Sequence, residues 1–204
     1  TLVDAKVTGL PVAQLDALLA TEQPLEPVIG SQTDIDLQAD LQKGSGPIRL
    51  NVKGDNATAL LATQFSPDTI TLTEAARMQV GVTPAMAETF LQRINPLLVS
   101  AISSEDPLQI VVEPQGFSMP RKNPSIANAS IPSATMNLGT MTLGRTALLD
   151  GILRMVKKDA GNQIPAYFTP MKAQVANGVA RYDRMDVFLT DAVHLATWGS
   201  IDLR

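Results

Sequence analysis

His194 is the chain's only histidine, and so the one side chain whose ordinary pKa suits proton transfer near neutral pH. A Ser-His-Asp triad has to use it. No Gly-x-Ser-x-Gly elbow surrounds any serine, however, and His194 sits between Val193 and Leu195 in a strand-like stretch, the setting of a surface or hydrogen-bonded residue. The absence of cysteine removes disulfides, thiolate metal sites and thiol nucleophiles. With one imidazole and no thiolate, zinc would need carboxylates for its other ligands, an uncommon set.

The carboxylates are the remaining chemistry. Asp34, Asp36 and Asp40 fall on one face of a strand and form an acidic row. They lack the glycine turn and distal Glu of a calcium loop, and a solvated sheet face accounts for them. Asp183, Asp186 and Asp191 are interleaved with Arg181 and Arg184, which local surface pairing explains equally well. The stretch Gly139-Thr-Met-Thr-Leu-Gly144 lacks the Gly-Lys-Ser/Thr ending of a phosphate loop. Pro114-Gln115-Gly116 and its neighbours carry no dinucleotide fingerprint. Asn128-Ala129-Ser130 fits the glycosylation triplet, a short pattern that also occurs without being used. No catalytic, cofactor-binding or metal-binding residue is assigned.

A net charge of −4 and a pI near 4.9 argue against a nucleic-acid partner, whose phosphates need a clustered basic surface. Of the two basic doublets, Arg121–Lys122 is expected to be solvated. Lys157–Lys158 is expected to close a helix and complement its dipole. Six of the eight methionines (Met119, Met136, Met141, Met155, Met171 and Met185) fall in the C-terminal half. Methionine fills ordinary cores and also suits surfaces that hold variable apolar ligands.

The elements that carry these residues are mostly strands. Ile35, Leu37, Ala39 and Leu41 alternate with Asp34, Asp36, Gln38 and Asp40, and Ile48, Leu50 and Val52 alternate with Arg49, Asn51 and Lys53. The longest run sets Ile70, Leu72, Ala76, Met78, Val80 and Val82 against Thr71, Thr73, Arg77, Gln79 and Thr83, with Glu74 as the exception on the apolar side. Strict alternation gives each strand one dry and one wet face, which favours antiparallel pairing. The connections 43–47, 54–56 and 66–68 carry turn residues, so the order reads as a meander.

Leu108–Glu113 and Ile131–Leu143 also read as strands, and a bulge near Gly139 would explain a switch of apolar parity there. The chain ends in strands over Ala166–Ala176, Val179–Thr190 and Ala192–Leu203. Asn177-Gly178 and Thr190-Asp191 join them, the former a strong hairpin signal.

Three helices are expected. One spans Pro11 to Ala20 with Leu15, Leu18 and Leu19 on one face. The second follows an N-cap at Thr83, runs from 84 to 102 and is kinked or divided at Pro96. The third spans Thr146 to Ala160 with Gly161 as its cap. Gly116–Ser130 has no period and reads as a loop.

Hydrophobic residues at 45% and charged residues at 18% make the chain globular. No apolar run reaches the ~20 residues of a membrane span, and Thr1–Val7 opens in strand pattern and not as a signal peptide. A chain that starts and stops in strand-like sequence is expected to be a piece of a longer protein, with any anchor outside it. The expected fold is therefore α+β: a mainly antiparallel, long curved meander sheet with about three amphipathic helices on its apolar face. It forms one domain over 1–204, or two split near 104–106.

From Pro170 to Leu203 the chain resembles the C-terminal region of AsmA-like envelope proteins, the broad group that includes TamB. The matching positions are Asn177 and Gly178 in the hairpin, and Gly199, Ile201, Asp202 and Leu203 in the closing strand. Thr8–Leu15 is similar to the strand-to-helix passage of that group. Helices over 84–102 and 146–160 have no counterpart in the pattern. The resemblance implies a non-enzymatic periplasmic, cell-envelope domain, membrane-associated through regions outside the chain. Its apolar sheet face would shield lipid acyl chains and contribute to lipid transport or outer-membrane maintenance. Two other readings stay open: a structural or protein-interaction module with a fully closed core, and a hydrolase using carboxylates, Asp191 among them, around His194.

Overall fold

The computed structural model describes residues 1–19, 24–157, 161–189 and 193–203. One sheet of 15 strands runs through it, and every pairing is antiparallel. The first strands are β1 (Leu2–Pro11), β2 (Gln32–Asp40), β3 (Gly46–Gly54) and β4 (Ala57–Phe65), each hydrogen-bonded to the next. The alternating stretches around Ile35 and Leu50 form β2 and β3 as their period requires.

The long Ile70–Val82 run is two strands, β5 (Thr69–Leu72) and β6 (Ala76–Val80), both paired to β4. Between Thr63↔Leu72 and Leu60↔Arg77, three steps on β4 face five on its partner. Two extra residues preserve parity, so Ile70, Leu72, Met78 and Val80 keep one face although the strand is broken. The break also removes the anomaly at Glu74. It lies in the bend and takes a hydrogen bond from Arg49 Nη2 at 2.6 Å, on the polar side.

The second half repeats the theme with β7 (Ala101–Ser104), β8 (Leu108–Val112), β9 (Met119–Pro120), β10 (Ile131–Asn137) and β11 (Gly139–Gly144), then β12 (Gln163–Phe168), β13 (Met171–Ala176), β14 (Val179–Leu189) and β15 (Val193–Asp202). Several of these are halves of one long strand. Met136↔Met171 on β10 and β13 continues as Gly139↔Phe168 on β11 and β12 with no residue gained on either side. β12 and β13 likewise share one register along β14, through Phe168↔Val187 and Ala173↔Tyr182.

The parity switch near Gly139 is present, and it is not confined to one strand. Inward residues pass from Ala134, Met136 and Leu138 to Met141 and Leu143; next door from Ile164, Ala166 and Phe168 to Met171 and Val175; and on β14 from Ala180 and Tyr182 to Met185, Val187 and Leu189. Gly139 turns with φ +62°, a left-handed angle that costs glycine little. Pro170, without an N–H, sits where the neighbouring strand is interrupted. β14 takes one extra residue against β15 between Tyr182 and Met185. The three switches line up as a seam across the sheet.

The helices are shorter than periodicity suggests. α1 (Val12–Leu19) buries Val12 but leaves Leu18 exposed, and Ala20 lies outside the described residues. A four-residue helix, α2 (Glu26–Ile29), was not anticipated. α3 covers only Pro84–Thr89, capped by Thr83 Oγ1, which accepts from Met86 N. Two 3-10 turns follow, over Leu91–Arg93 and Pro96–Ser100, and Ala101 and Ile102 already belong to β7. The helical stretch expected over 84–102 is thus divided, at Pro96 as that proline allows and again after Thr89, into a short α-helix and two 3-10 turns: Asn95 Oδ1 accepts from Leu97 N and restarts the chain at Pro96.

α4 (Ala147–Met155) starts where expected, and Thr146 caps it, its Oγ1 accepting from Leu149 N. It stops before Gly161: the reversal falls at Lys157, with φ +54°. Lys158 and Ala160 lie outside the described residues. The loop expected over Gly116–Ser130 contains β9, a Ser118↔Ser130 bridge and a 3-10 turn over Ile126–Asn128.

The main buried cluster takes Met86, Leu91, Leu98, Leu149 and Leu153 from the helical segments and Val80, Leu108, Met141, Phe168 and Val187 from strands. A small second cluster joins Ala129, Ile131 and Val175. Among the described residues no helix is long and apolar enough to cross a membrane.

Candidate functional site

Strand register brings the apolar residues of eight strands into one row: Val7↔Ile35↔Val52↔Ala59↔Met78↔Ile110↔Met136↔Met171. A parallel row begins Ala5↔Leu37↔Leu50↔Leu61 and resumes as Ala76↔Val112↔Ala134↔Ala173. The row one residue over on the other face reads Lys6↔Asp36↔Asn51↔Leu60↔Arg77↔Val111↔Thr135↔Lys172. A pleat of period two therefore separates a hydrocarbon surface from a largely polar one.

Burial along the first row rises toward the C-terminal strands. Val7 is exposed; Ile35, Val52, Ala59, Met78, Ile110 and Met136 are half-buried; Met171 is buried. Met78, Ile110 and Met136 abut the main core, where the helical segments contribute. Over β3, β4, β6 and β8 lies a groove of about 310 Å³ lined by Leu50, Val52, Leu61, Met78, Ile110 and Val112. That volume stands at the low end of the ~300–1,000 Å³ usual for small-molecule sites. Ile126, 60% exposed, reaches its rim from the 3-10 turn. A larger cleft of about 470 Å³ near the start of β1 mixes Asp4, Gln38, Asp40 and Arg49 with Leu2 and Ile48, so it offers no comparable apolar surface.

None of the side chains in the two apolar rows titrates, and the one ionisable residue of the groove's lining, Arg77 from the polar row, is a permanent cation. Among the described residues, no three His, Cys, Asp or Glu side chains gather as metal ligands. What such a surface can do is remove apolar matter from water.

The residues singled out for chemistry lie elsewhere and are separated. Asp34, Asp36 and Asp40 project from β2 on the polar face, with Lys6 and Asn51 opposite Asp36 and Lys53 opposite Asp34. Asp34 Oδ1 also accepts from Gly9 N at 2.8 Å, where β1 departs from register. This row is part of a mixed-charge surface.

His194 stands on the outward face of β15, half exposed, with Nε2 2.8 Å from Asp186 Oδ1. Its ring stacks on Phe188 at 4.5 Å and 5°. The same Asp186 oxygen accepts from Arg184 Nη2 at 2.7 Å and Nε at 2.9 Å, and Asp186 N donates to Thr169 Oγ1. Asp183 is exposed, and Asp191 lies outside the described residues.

Arg184, and secondarily His194, hold the Asp186 carboxyl below the ordinary range of an aspartate. A depressed folded pKa stabilises the fold above the unfolded value, and that contribution fades as the pH falls through the lower folded value. Thermal melts of Asp186→Asn against wild type are expected to differ at pH 7 and to converge in strong acid. A gap that widens on acidification would contradict the assignment.

Arg121, expected in solvent, is instead a clamp. It donates to the carbonyls of Gly44 (2.7 Å) and Ser66 (3.3 Å) and lies over the Phe65 ring. Asn128 is exposed, and its Nδ2 donates to Asn123 O at 3.3 Å. Ile126 is the groove residue that sequence reasoning missed. It sits in an aperiodic stretch, where spacing carries no signal.

Compared with protein-family models, with curated proteins and with solved structures, the chain matches none of them.

Proposed function

We propose that the protein is a non-enzymatic domain that shelters lipid acyl chains on the apolar face of its sheet, in the manner of AsmA-like proteins of the cell envelope. The observation that carries this reading is the unbroken apolar row across eight strands, half-buried through its middle. In a meander with one dry face, that face has to be covered by helices, by a second sheet or by a ligand. On this reading the sheet is curved, the helical segments cover the end nearest Val80 and Leu108, and the acyl chain takes the place of helices over Leu50, Leu61 and Met78.

The driving force is hydrophobic. Each methylene removed from water contributes ~0.8 kcal/mol, so seating about eight gives roughly 6 kcal/mol before ordering costs. A lining that is aliphatic apart from Arg77 suits chains of varied length, and Met78 adapts readily to such cargo. Periplasmic location and membership of the AsmA-like group follow as parts of the same proposal, supported by the Asn177-Gly178 hairpin and the Gly199–Leu203 ending.

The test exploits two residues on opposite faces of β4. Leu61 lines the groove, whereas Thr58 is exposed, lies opposite Lys53 and Gln79 on the polar face and is not part of the lining. The purified chain is expected to carry lipid in native mass spectrometry and to bind a fluorescent polyene fatty acid. Leu61→Asp should weaken that binding roughly tenfold or more while Thr58→Asp leaves it intact, because the charge then sits on the wet face. Absence of bound lipid together with absence of probe binding, or equal effects of the two substitutions, would sink the proposal and favour a closed structural module.

A further inference from the structure

β1 and β15, two strands that each pair on one side only among the described residues, differ in how their free edges are guarded. β1 carries Asp4, Lys6 and Pro11 and a register break between Val7 and Leu10, the devices that discourage strand addition. β15 is ten residues long with no Pro, Lys or Arg, and among the described residues it pairs only with β14. Trp198, on its outward face, is 70% exposed. Farther along the same face His194 stacks on Phe188, whose ring centroid lies 6.2 Å from that of Tyr167 on β12.

The order of residues in β15 names the occupant. From Val193 to Leu203 the strand is chemically palindromic about Trp198. Laid antiparallel on a copy of itself, it puts Val193 opposite Leu203, His194 opposite Asp202, Leu195 opposite Ile201, Ala196 opposite Ser200 and Thr197 opposite Gly199. Trp198 meets its own copy at the axis. On the inner face Val193–Leu203 and Leu195–Ile201 are apolar pairs flanking Thr197–Gly199, and on the outer face the imidazole, whose Nε2 is held by Asp186, comes opposite a second carboxylate. A slip of two residues in either direction loses the His194–Asp202 pair. We propose that β15 is the interface of a two-fold homodimer, in which two copies join edge to edge through antiparallel β15–β15 pairing centred on Trp198. A two-fold axis normal to the sheet keeps both apolar faces on the same side, so the dry surface runs on from one copy into the next. This inference is independent of what the groove holds.

Sedimentation equilibrium of the 204-residue chain should give twice the 21.7 kDa chain mass. Trp198→Lys places two like charges at the axis and should raise the dissociation constant roughly tenfold or more. Because that substitution also alters folding solubility, a second readout uses the absence of cysteine. Directly opposed residues of antiparallel strands have Cα atoms about 4.5–5.5 Å apart, within the ~4.4–6.8 Å that a disulfide spans. Trp198→Cys should therefore cross-link into a dimer in air, while Lys53→Cys, on the polar face of β3, should not. A monomer at every concentration up to the solubility limit overturns the inference. So does cross-linking of Trp198→Cys no faster than of Lys53→Cys, or an open-ended ladder of sizes, which means β15 on β1.

Discussion

Replacing Phe168 with alanine is expected to remove about 3–5 kcal/mol of folding free energy, the range for deleting a fully buried aromatic ring. Phe168 has no exposed surface and ends β12, opposite Gly139 on one neighbour and Val187 on the other. Its ring belongs to the main buried cluster together with Met141, Met185 and Val187, so its removal leaves a cavity inside that core. Domains of this kind are stable by only ~5–15 kcal/mol, so the variant should show a much lower urea midpoint with an unchanged slope. A midpoint shift worth less than about 1 kcal/mol would mean that the ring is not a keystone of the main core.

Gly46→Ala is the second large effect. β2 and β3 are joined by a tight reversal in which Gln42 and Ser45 exchange backbone hydrogen bonds at 2.7 and 3.0 Å, with Lys43 and Gly44 at φ +49° and +79°. Gly46 follows at φ +149°. A methyl group there overlaps the Asp40 carbonyl oxygen and crowds Leu41 Cα, so it is backbone and not a flexible side chain that has to yield. Left-handed strain at a non-glycine residue costs ~1–3 kcal/mol by itself. With the steric conflict added, more than about 3 kcal/mol is expected. Calorimetry measures it directly. Gly161→Ala, which meets nothing within 4 Å, is the matched control and should leave the melting temperature close to that of wild type.

Much of the sheet was legible because period two is a local property. Asp34 to Asp40 and Arg49 to Lys53 declare their faces within a single strand, and Asn177-Gly178, with φ +54° and +75°, turns the chain where expected. The errors arose where two geometries share one pattern. Met86, Leu91, Leu97 and Leu98 are spaced as on a helix, yet they serve a six-residue helix and two 3-10 turns equally well. Ile70 to Val82 kept its rhythm across a break because the inserted residues numbered two.

Apolar faces were legible strand by strand, but whether anything covers them is a property of the whole molecule. Leu61 and Leu143 look alike in sequence. The first is half-buried in the groove, and the second is fully buried beneath the helical segments. Arg121 gave no local hint of its clamp, because its acceptors Gly44 and Ser66 lie 77 and 55 residues away.

The seam at Gly139, Pro170 and Arg184 has a consequence for how this chain can change length. Each of three adjacent strands turns its opposite side to the interior at the same level. Deleting one residue from one of them would leave its two neighbours out of phase and swing Met141 and Leu143, or their equivalents, into solvent. Single-residue indels in β10–β11, β12–β13 or the first half of β14 should therefore be far less tolerated than in β1 or the loop over 113–130. Lineages that gain or lose the crimp should do so in all three strands together, as one inherited unit.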